Sequence, residues 1–230
     1  MAELILALDV ATRDAAIALL NRLPDVRWVK LGSLLATRAG GGLAAELKRR
    51  GLSVFLDLKW HDIPNTVKGA VAGARELGVD LVTVHTLGGP AMLRAAVEAA
   101  GNDMAVVGVT VLTSHSAGDF GAVVGRPAVD LGAEVSRLAR LGVEAGLTGV
   151  VCSPLEVAAL RRELGATPWL VVPGIRATGE ARGDQIRTAG AAETAGAGAT
   201  HLVVGRPILE AVDPEKAWRR LASEVYTAAH

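Results

Sequence analysis

Residues 54–60 read VFLDLKW, a run with the length and composition of a buried β-strand that nevertheless contains Asp57 and Lys59. Side chains alternate along a strand, so Phe55, Asp57 and Lys59 are expected on one face and Trp60 on the other. Charged side chains are costly to bury unless they are paired. The run therefore predicts a strand whose end opens into a polar cavity.

Similar β-rich runs recur along the chain and alternate with stretches of helical period, such as residues 41–50 and 135–146. The other runs are ELILALDV (3–10), WVKLG (28–32), LVTVHT (81–86), MAVVGVTVLT (104–113), GVVCS (149–153), WLVVPGI (169–175) and HLVVGRPI (201–208). Alternating strands and helices imply parallel strands with crossover helices. Eight units predict an α/β protein, a single-domain (β/α)₈ TIM barrel over residues 1–230, with an open doubly wound sheet as the alternative. The longest irregular stretch, residues 113–128, is expected to cover a ligand or to be a surface excursion.

Composition and charge exclude several classes of protein. Half of the residues are hydrophobic, and 24 basic residues balance 24 acidic ones, which leaves no basic footprint for nucleic acid. No apolar run reaches the ~18 residues of a membrane span, and the start lacks the basic region of a signal peptide. The lone Cys152 cannot form an intramolecular disulfide, which fits a reducing compartment. We therefore expect a cytoplasmic protein that binds neither nucleic acid nor membrane.

Charged residues gather at the predicted carboxyl ends of the first three strands. Asp9 ends the first strand, Lys30 occupies a late position in the second, and Asp57 and Lys59 end the third. Two of the chain's five lysines are thus at strand ends. That end of a (β/α)₈ barrel holds the active site, and opposite charges there can hold one another in an alternating array. For the charges at the strand ends, the alternative is a structural ion pair at the barrel mouth. For Asp62, which lies two residues before Pro64, a role at a helix N-terminus is as well supported as a catalytic role.

The last two predicted strands end in a pattern suited to phosphate. PGIRATG (173–179) and VVGRPI (203–208) both place an arginine soon after a glycine. Barrels often bind phosphate at the loops after strands seven and eight, where backbone N–H groups converge with positive charge. Gly205 would let the backbone approach the phosphate and Arg206 would supply charge.

These motifs together resemble the orotidine 5′-monophosphate decarboxylase family, which makes UMP. The resemblance covers nearly the whole chain through ALDV, KLG, DLKWHDIPNT, TVLTS, PGIR, DQIR and VVGRPI, in the family's order and at compatible spacing. DxKxxDIPNT is its specific part, because DxK alone is shared with sugar-phosphate decarboxylases and synthases. Two positions depart from the family's usual pattern: Trp60 replaces a common phenylalanine, and Ala177 replaces the proline that usually follows Arg176.

The resemblance implies a homodimer with shared active sites. Its charged array would be Lys30, Asp57 and Lys59 together with Asp62 from the other subunit. The remaining implied contacts to the substrate are Asp9 and Lys30 at the ribose with Thr66 of the other subunit, Thr113 at the pyrimidine, and Arg176, Gln185, Gly205 and Arg206 at the phosphate.

The implied reaction removes CO₂ from carbon 6 of orotidine 5′-monophosphate without a cofactor, with Asp57 stressing the carboxylate and Lys59 stabilising and protonating the carbanion. Three rivals remain: a metal-dependent sugar-phosphate lyase, a Schiff-base aldolase that uses Lys59, and a nucleotide-binding protein without activity. The five histidines show no metal-ligand spacing, so we expect no metal. Flanking carboxylates would keep Lys59 protonated and therefore non-nucleophilic.

Overall fold

The computed structural model describes residues 2–175 and 187–228, and these residues form one closed barrel of parallel strands in sequential order. The strands are β1 Glu3–Ala7, β2 Trp28–Gly32, β3 Ser53–Trp60, β4 Leu81–His85, β5 Ala105–Val109, β6 Gly149–Val151, β7 Trp169–Val172 and β8 His201–Val204. β1 pairs with both β2 and β8, which closes the sheet on itself. The predicted (β/α)₈ barrel is confirmed, and the open-sheet alternative is wrong.

Helices connect successive strands. Each helix carries the chain back across the sheet, so that the next strand can run parallel to the one before it in a right-handed crossover. They are α1 Arg13–Asn21, α2 Ser33–Ala39, α3 Gly41–Arg49, α4 Pro64–Glu76, α5 Gly89–Ala100, α6 Ala117–Val124, α7 Leu131–Glu144, α8 Val157–Leu164, α9 Ala191–Gly196, α10 Arg206–Leu209 and α11 Pro214–Ala228. Short 3₁₀ turns at Thr86–Gly88 and Pro154–Glu156 precede α5 and α8. Among the described residues, no helix has the length and apolar character needed to cross a membrane.

Strand alternation divides the hydrophobic core into two layers. Inside the barrel lies a small cluster of buried side chains, one or two from most strands: Ile5, Ala7, Phe55, Leu81, Val107, Val171 and Val203. The opposite faces of the strands pack on the helices; Leu4, Leu6 and Leu8 of the first unit belong to that outer layer, and Trp60 packs against it. The faces predicted for Phe55 and Trp60 are therefore confirmed. The inner cluster closes the barrel interior below the charged residues.

The stretch 113–128, expected to be irregular, contains helix α6. The hydroxyl of Ser116 accepts a hydrogen bond from the backbone N–H of Asp119 at 3.2 Å, and the Asp119 carboxylate accepts one from the Ser116 N–H at 3.0 Å. This reciprocal capping box satisfies two N–H groups that the first helical turn leaves without partners. The interpretation of this stretch as irregular was wrong for Ala117–Val124. Three glycines within GDFGAVVG obscure the helical pattern, whereas the S-x-x-D signal marks the helix start.

Candidate active site

The carboxyl ends of the strands surround a cavity of about 720 Å³. Its walls include residues from the loops after β1, β5, β7 and β8 as well as from β2 and β3 themselves. Seven of the predicted site residues line this one cavity: Asp9, Lys30, Asp57, Lys59, Thr113, Gly205 and Arg206. The sequence pattern therefore identified both the charged wall and the wall at the end of β8.

Lys30 lies between two carboxylates. Its Nζ atom is 3.2 Å from Oδ1 of Asp9 and 3.6 Å from Oδ2 of Asp57. Gly32 at the end of β2 leaves room for this approach, since a Cβ atom there would lie 3.0 Å from the Lys30 Nζ. Together with Lys59, these groups form the alternating array that the sequence predicted, with Asp57 between two ammonium groups.

Asp57 is the most buried charge of the array, with 9 % of its surface exposed. The Nζ atom of Lys59 donates to both of its carboxylate oxygens, at 2.8 and 2.9 Å. Burial alone would raise the pKa of the Asp57 carboxyl. Attraction to Lys30 and Lys59, together with hydrogen bonds from Lys59 and Thr83, outweighs this and holds the pKa below its ordinary value. Asp57 is therefore held ionised against the wall of the cavity.

Strand β3 bulges where the array is built. Leu56 pairs with Val82 and Trp60 with Val84, so the three residues Asp57 to Lys59 lie opposite Thr83 alone. Lys59 has a φ of 51° and is the only non-glycine residue with positive φ among those described. Such a conformation costs free energy and persists where the surrounding contacts enforce it. The simple alternation used to predict the Lys59 face misses this bulge, although the Lys59 side chain does line the cavity.

Thr83 stabilises the bulge and was not predicted as a site residue. Its hydroxyl accepts the backbone N–H of Lys59 at 2.9 Å and donates to Oδ1 of Asp57 at 3.0 Å. Thr83 is fully buried in β4. A hydroxyl inside the otherwise apolar run LVTV was the available signal, because a buried hydroxyl needs a partner.

A further part of the cavity wall follows β8, which pairs with β1. Gly205 has φ −120° and ψ −94°, and a Cβ atom at this position would lie 3.4 Å from Oδ2 of Asp9. The backbone after β8 therefore passes close to the Asp9 carboxylate. Arg206 begins α10 and lines the cavity beside it. Two further residues predicted for this wall, Arg176 and Gln185, lie outside the described residues.

Asp62 and Thr66 are exposed, and neither lines the cavity of its own subunit. The Asp62 carboxylate accepts the N–H of Ile63 at 2.7 Å, and α4 begins at Pro64. The Ile63 side chain is itself 67 % exposed. A single subunit therefore leaves the DIPNT segment on its surface.

Two histidines lie at the carboxyl ends of neighbouring strands, His61 just after β3 and His85 at the end of β4. The rings of His61 and His85 stack with centroids 5.6 Å apart. Burial, followed by repulsion from His61, Lys59 and His115, lowers the pKa of His85 to about 4, so its ring is neutral at pH 7. Within residues 2–175 and 187–228, no group of three or more His, Cys, Asp or Glu side chains is arranged to hold a metal ion.

Comparisons with known proteins agree with this geometry. The family model described as "Orotidine 5'-phosphate decarboxylase / HUMPS family" matches residues 2–221. A protein of Anaeromyxobacter dehalogenans named orotidine 5′-phosphate decarboxylase is 49% identical over 220 residues, covering 94% of this chain and 95% of its own. One of the same name from Halorhodospira halophila is 47% identical over 232 residues, covering 98% of this chain and 97% of its own. The crystal structure of orotidine 5′-phosphate decarboxylase from Lactobacillus acidophilus superposes with a TM-score of 0.87 at 33% identity, covering 98% of this chain and 99% of that one.

Proposed function

The chain belongs to the orotidine 5′-phosphate decarboxylase / HUMPS family, and we propose that it converts orotidine 5′-monophosphate to UMP and CO₂ in pyrimidine biosynthesis. The observation that carries this proposal is the array in which Asp57 lies between the ammonium groups of Lys30 and Lys59. The array lines the same cavity as Gly205 and Arg206. A cavity with these two sets of groups suits a substrate that has both a reacting carboxylate and a phosphate.

The chemical problem is a carbanion without an electron sink. When CO₂ leaves carbon 6 of the pyrimidine, the electron pair of the broken bond remains in the plane of the ring, where no π-system absorbs it. Preorganised charge is the remaining way to stabilise it. We infer that ionised Asp57 disfavours the substrate carboxylate, while Lys59 stabilises the carbanion and gives a proton to carbon 6.

The other site residues are proposed to bind different parts of the substrate. We propose that Asp9 and Lys30 bind the ribose hydroxyls and that Thr113 contacts the pyrimidine. Gly205 and Arg206 hold the phosphate, together with Arg176 and Gln185. Binding energy from the phosphate, which is remote from carbon 6, then assists the chemical step.

A second subunit completes the site in this proposal. Asp62 would join the charged array of the other subunit, and Thr66 would bind the ribose there. The exposure of both residues, beside the exposed Ile63, supports this assignment, and a two-fold dimer permits it. We place the enzyme in the cytoplasm, without a nucleic-acid or membrane partner, because its charges balance and its single cysteine fits a reducing compartment.

We propose that the enzyme needs no metal or other cofactor. The Asp57 carboxylate is already neutralised by two ammonium groups, which compete with any cation for its oxygens. The Nζ atom of Lys59 donates to both oxygens of the same carboxylate, an arrangement poorly suited to attack on a carbonyl carbon. Sugar-phosphate lyases and aldolases that use a lysine are therefore the poorer fits to this array.

The test is direct. Purified protein is mixed with orotidine 5′-monophosphate in metal-free buffer, and the loss of ultraviolet absorbance is followed with and without EDTA. We expect the same turnover in both, with UMP and CO₂ formed in equal amounts. Activity abolished by EDTA and restored by Mg²⁺ would favour the metal-dependent lyase. Inactivation by borohydride that requires substrate would favour the Schiff base.

A further inference from the structure

Arg187 is a buried arginine outside the residues assigned to substrate or chemistry. Only 8 % of its surface is exposed. Its Nη2 atom donates to the carbonyl oxygens of Val111, at 3.2 Å, and Leu112, at 3.0 Å. Its Nη1 atom donates to the carboxylate of Glu156. One guanidinium therefore contacts two separate segments of the barrel's carboxyl end.

Glu156 anchors this contact within the loop after β6. It is also buried, and its second carboxylate oxygen accepts the backbone N–H of Ser153 at 2.6 Å. Ser153 follows Cys152, which lines the cavity. A buried charge needs a partner, and a planar guanidinium can serve a carboxylate and backbone carbonyls at once, which an ammonium does poorly. The Arg187–Glu156 pair thus ties the loops after β5 and β6 to the chain that enters α9.

The segment held in this way forms the wall of the cavity that meets the base. Val111 and Leu112 both line the cavity, and the next residue is Thr113, the proposed pyrimidine contact. We propose that Arg187 is a positioning residue that fixes Val111–Thr113 and thereby sets the recognition of the pyrimidine. This inference rests on the proposed function, because it takes the base of the bound nucleotide to lie against that wall.

The test measures how strongly the base contributes to binding. Dissociation constants for UMP and for ribose 5-phosphate, which has the same phosphate and sugar but no base, are measured for each variant. The ligand ratio is the dissociation constant of ribose 5-phosphate divided by that of UMP. We expect Arg187→Met to reduce this ratio by about tenfold or more, mainly by weakening the binding of UMP. Orotidine 5′-monophosphate turnover should show a raised KM with a smaller change in kcat.

Arg161→Met is the matched control. Arg161, like Arg187, donates to backbone carbonyls; among the described contacts its acceptors are those of Gly165, Pro168 and Gly198. These carbonyls lie near the amino ends of β7 and β8, opposite the cavity. The control should lose stability and keep the ligand ratio of the unaltered protein.

If Arg187→Met does not fold, Arg187→Lys decides the question. Lysine keeps a positive charge beside Glu156 but cannot reproduce the fork to Val111 and Leu112. A reduced ligand ratio in Arg187→Lys supports the inference. A ratio equal to that of the unaltered protein, in either variant, overturns it.

Different results of these experiments would indicate failure of the inference and failure of the proposed function. If the unaltered protein neither turns over orotidine 5′-monophosphate nor prefers UMP to ribose 5-phosphate, the proposed function falls and the inference with it. If the unaltered protein does both, and Arg187→Met matches Arg161→Met in ligand ratio, the inference alone is overturned.

Discussion

The Nζ atom of Lys59 lies 2.8 Å from Oδ1 of Asp57, two residues earlier in the same strand. In a regular strand two such side chains project side by side, about 7 Å apart at their origins. Here the bulge of β3 and the left-handed backbone of Lys59 accompany the contact between the two charged groups. The pair that is proposed to carry the chemistry therefore lies at a local departure from strand geometry.

Lys59 and Arg206 should affect different kinetic constants. Lys59→Ala should lower kcat by about a thousandfold or more while UMP still binds, because the phosphate and ribose are held by other groups. Arg206→Ala should mainly raise KM. Lys48→Ala is the control for losing a lysine, because Lys48 also contacts both oxygens of one carboxylate, that of Asp80, at 2.7 Å. Interchangeable kinetics of the Lys59 and Arg206 variants would contradict this separation of chemistry from binding.

Thr83→Val should reduce kcat about ten- to hundredfold, since it removes a hydrogen bond to a charged group and leaves the Lys59 N–H without its acceptor. Valine has nearly the same shape as threonine, so the inner packing should change little. Thr83→Ser restores the hydroxyl and should recover most of the activity. Steady-state kinetics of the two variants test this role. Wild-type kcat in Thr83→Val would show that the bulge does not need the hydroxyl.

The shared site can be tested by mixing two inactive variants. Lys59→Ala and Asp62→Ala are unfolded and refolded together, so that half of the dimers are mixed. In a mixed dimer one site carries both changes and the other combines intact Lys59 with intact Asp62. About one quarter of all sites should therefore regain activity.

The control mixture pairs Lys59→Ala with Lys30→Ala. Lys30 contacts Asp9 and Asp57 of its own chain, so every site of a mixed dimer carries one change and no activity should return. No recovery with Asp62→Ala, in dimers shown by mass to be mixed, would place Asp62 in its own subunit's site or outside the site altogether.

Acid should destabilise the barrel through His201. Burial lowers the pKa of His201 to about 4, whereas an unfolded histidine titrates near 6.5. Between these values the unfolded chain binds the extra proton, so stability is full above about pH 6.5 and declines as pH falls towards 4. The shift corresponds to at most about 3 kcal/mol of unfolding free energy. His201→Gln should reduce the fall in unfolding free energy between pH 7 and 4, measured by urea unfolding, while the part due to His85 remains. An unchanged profile would contradict this assignment.

Much of the architecture could be predicted from alternation and period. The apolar faces of the first strand and the charges at the ends of β1, β2 and β3 follow from the two-residue period of a strand. A barrel then brings those ends together around one cavity. Asp9, Lys30 and Asp57 line that cavity, as their late positions in the strands predict.

Other features depend on contacts between distant segments. The bulge of β3 arises against Thr83, which is 26 residues from Asp57. Arg187 and Val111 are 76 residues apart in the chain. No local pattern specifies such partners, although a buried hydroxyl or guanidinium signals that one must exist. The role of Asp62 does not follow from the geometry of one chain, because its proposed partner groups belong to another copy of the chain.

The central claim is that the Lys59 ammonium gives its proton to carbon 6 of the pyrimidine after CO₂ leaves. The most direct measurement is turnover of orotidine 5′-monophosphate in D₂O, with the UMP product examined by NMR and with Lys59→Ala assayed in parallel. Because the ammonium exchanges its protons with solvent, the account predicts one deuterium at carbon 6, none at carbon 5, and essentially no UMP from Lys59→Ala. Deuterium at carbon 5, or UMP formed by Lys59→Ala at the rate of the unaltered protein, would contradict it.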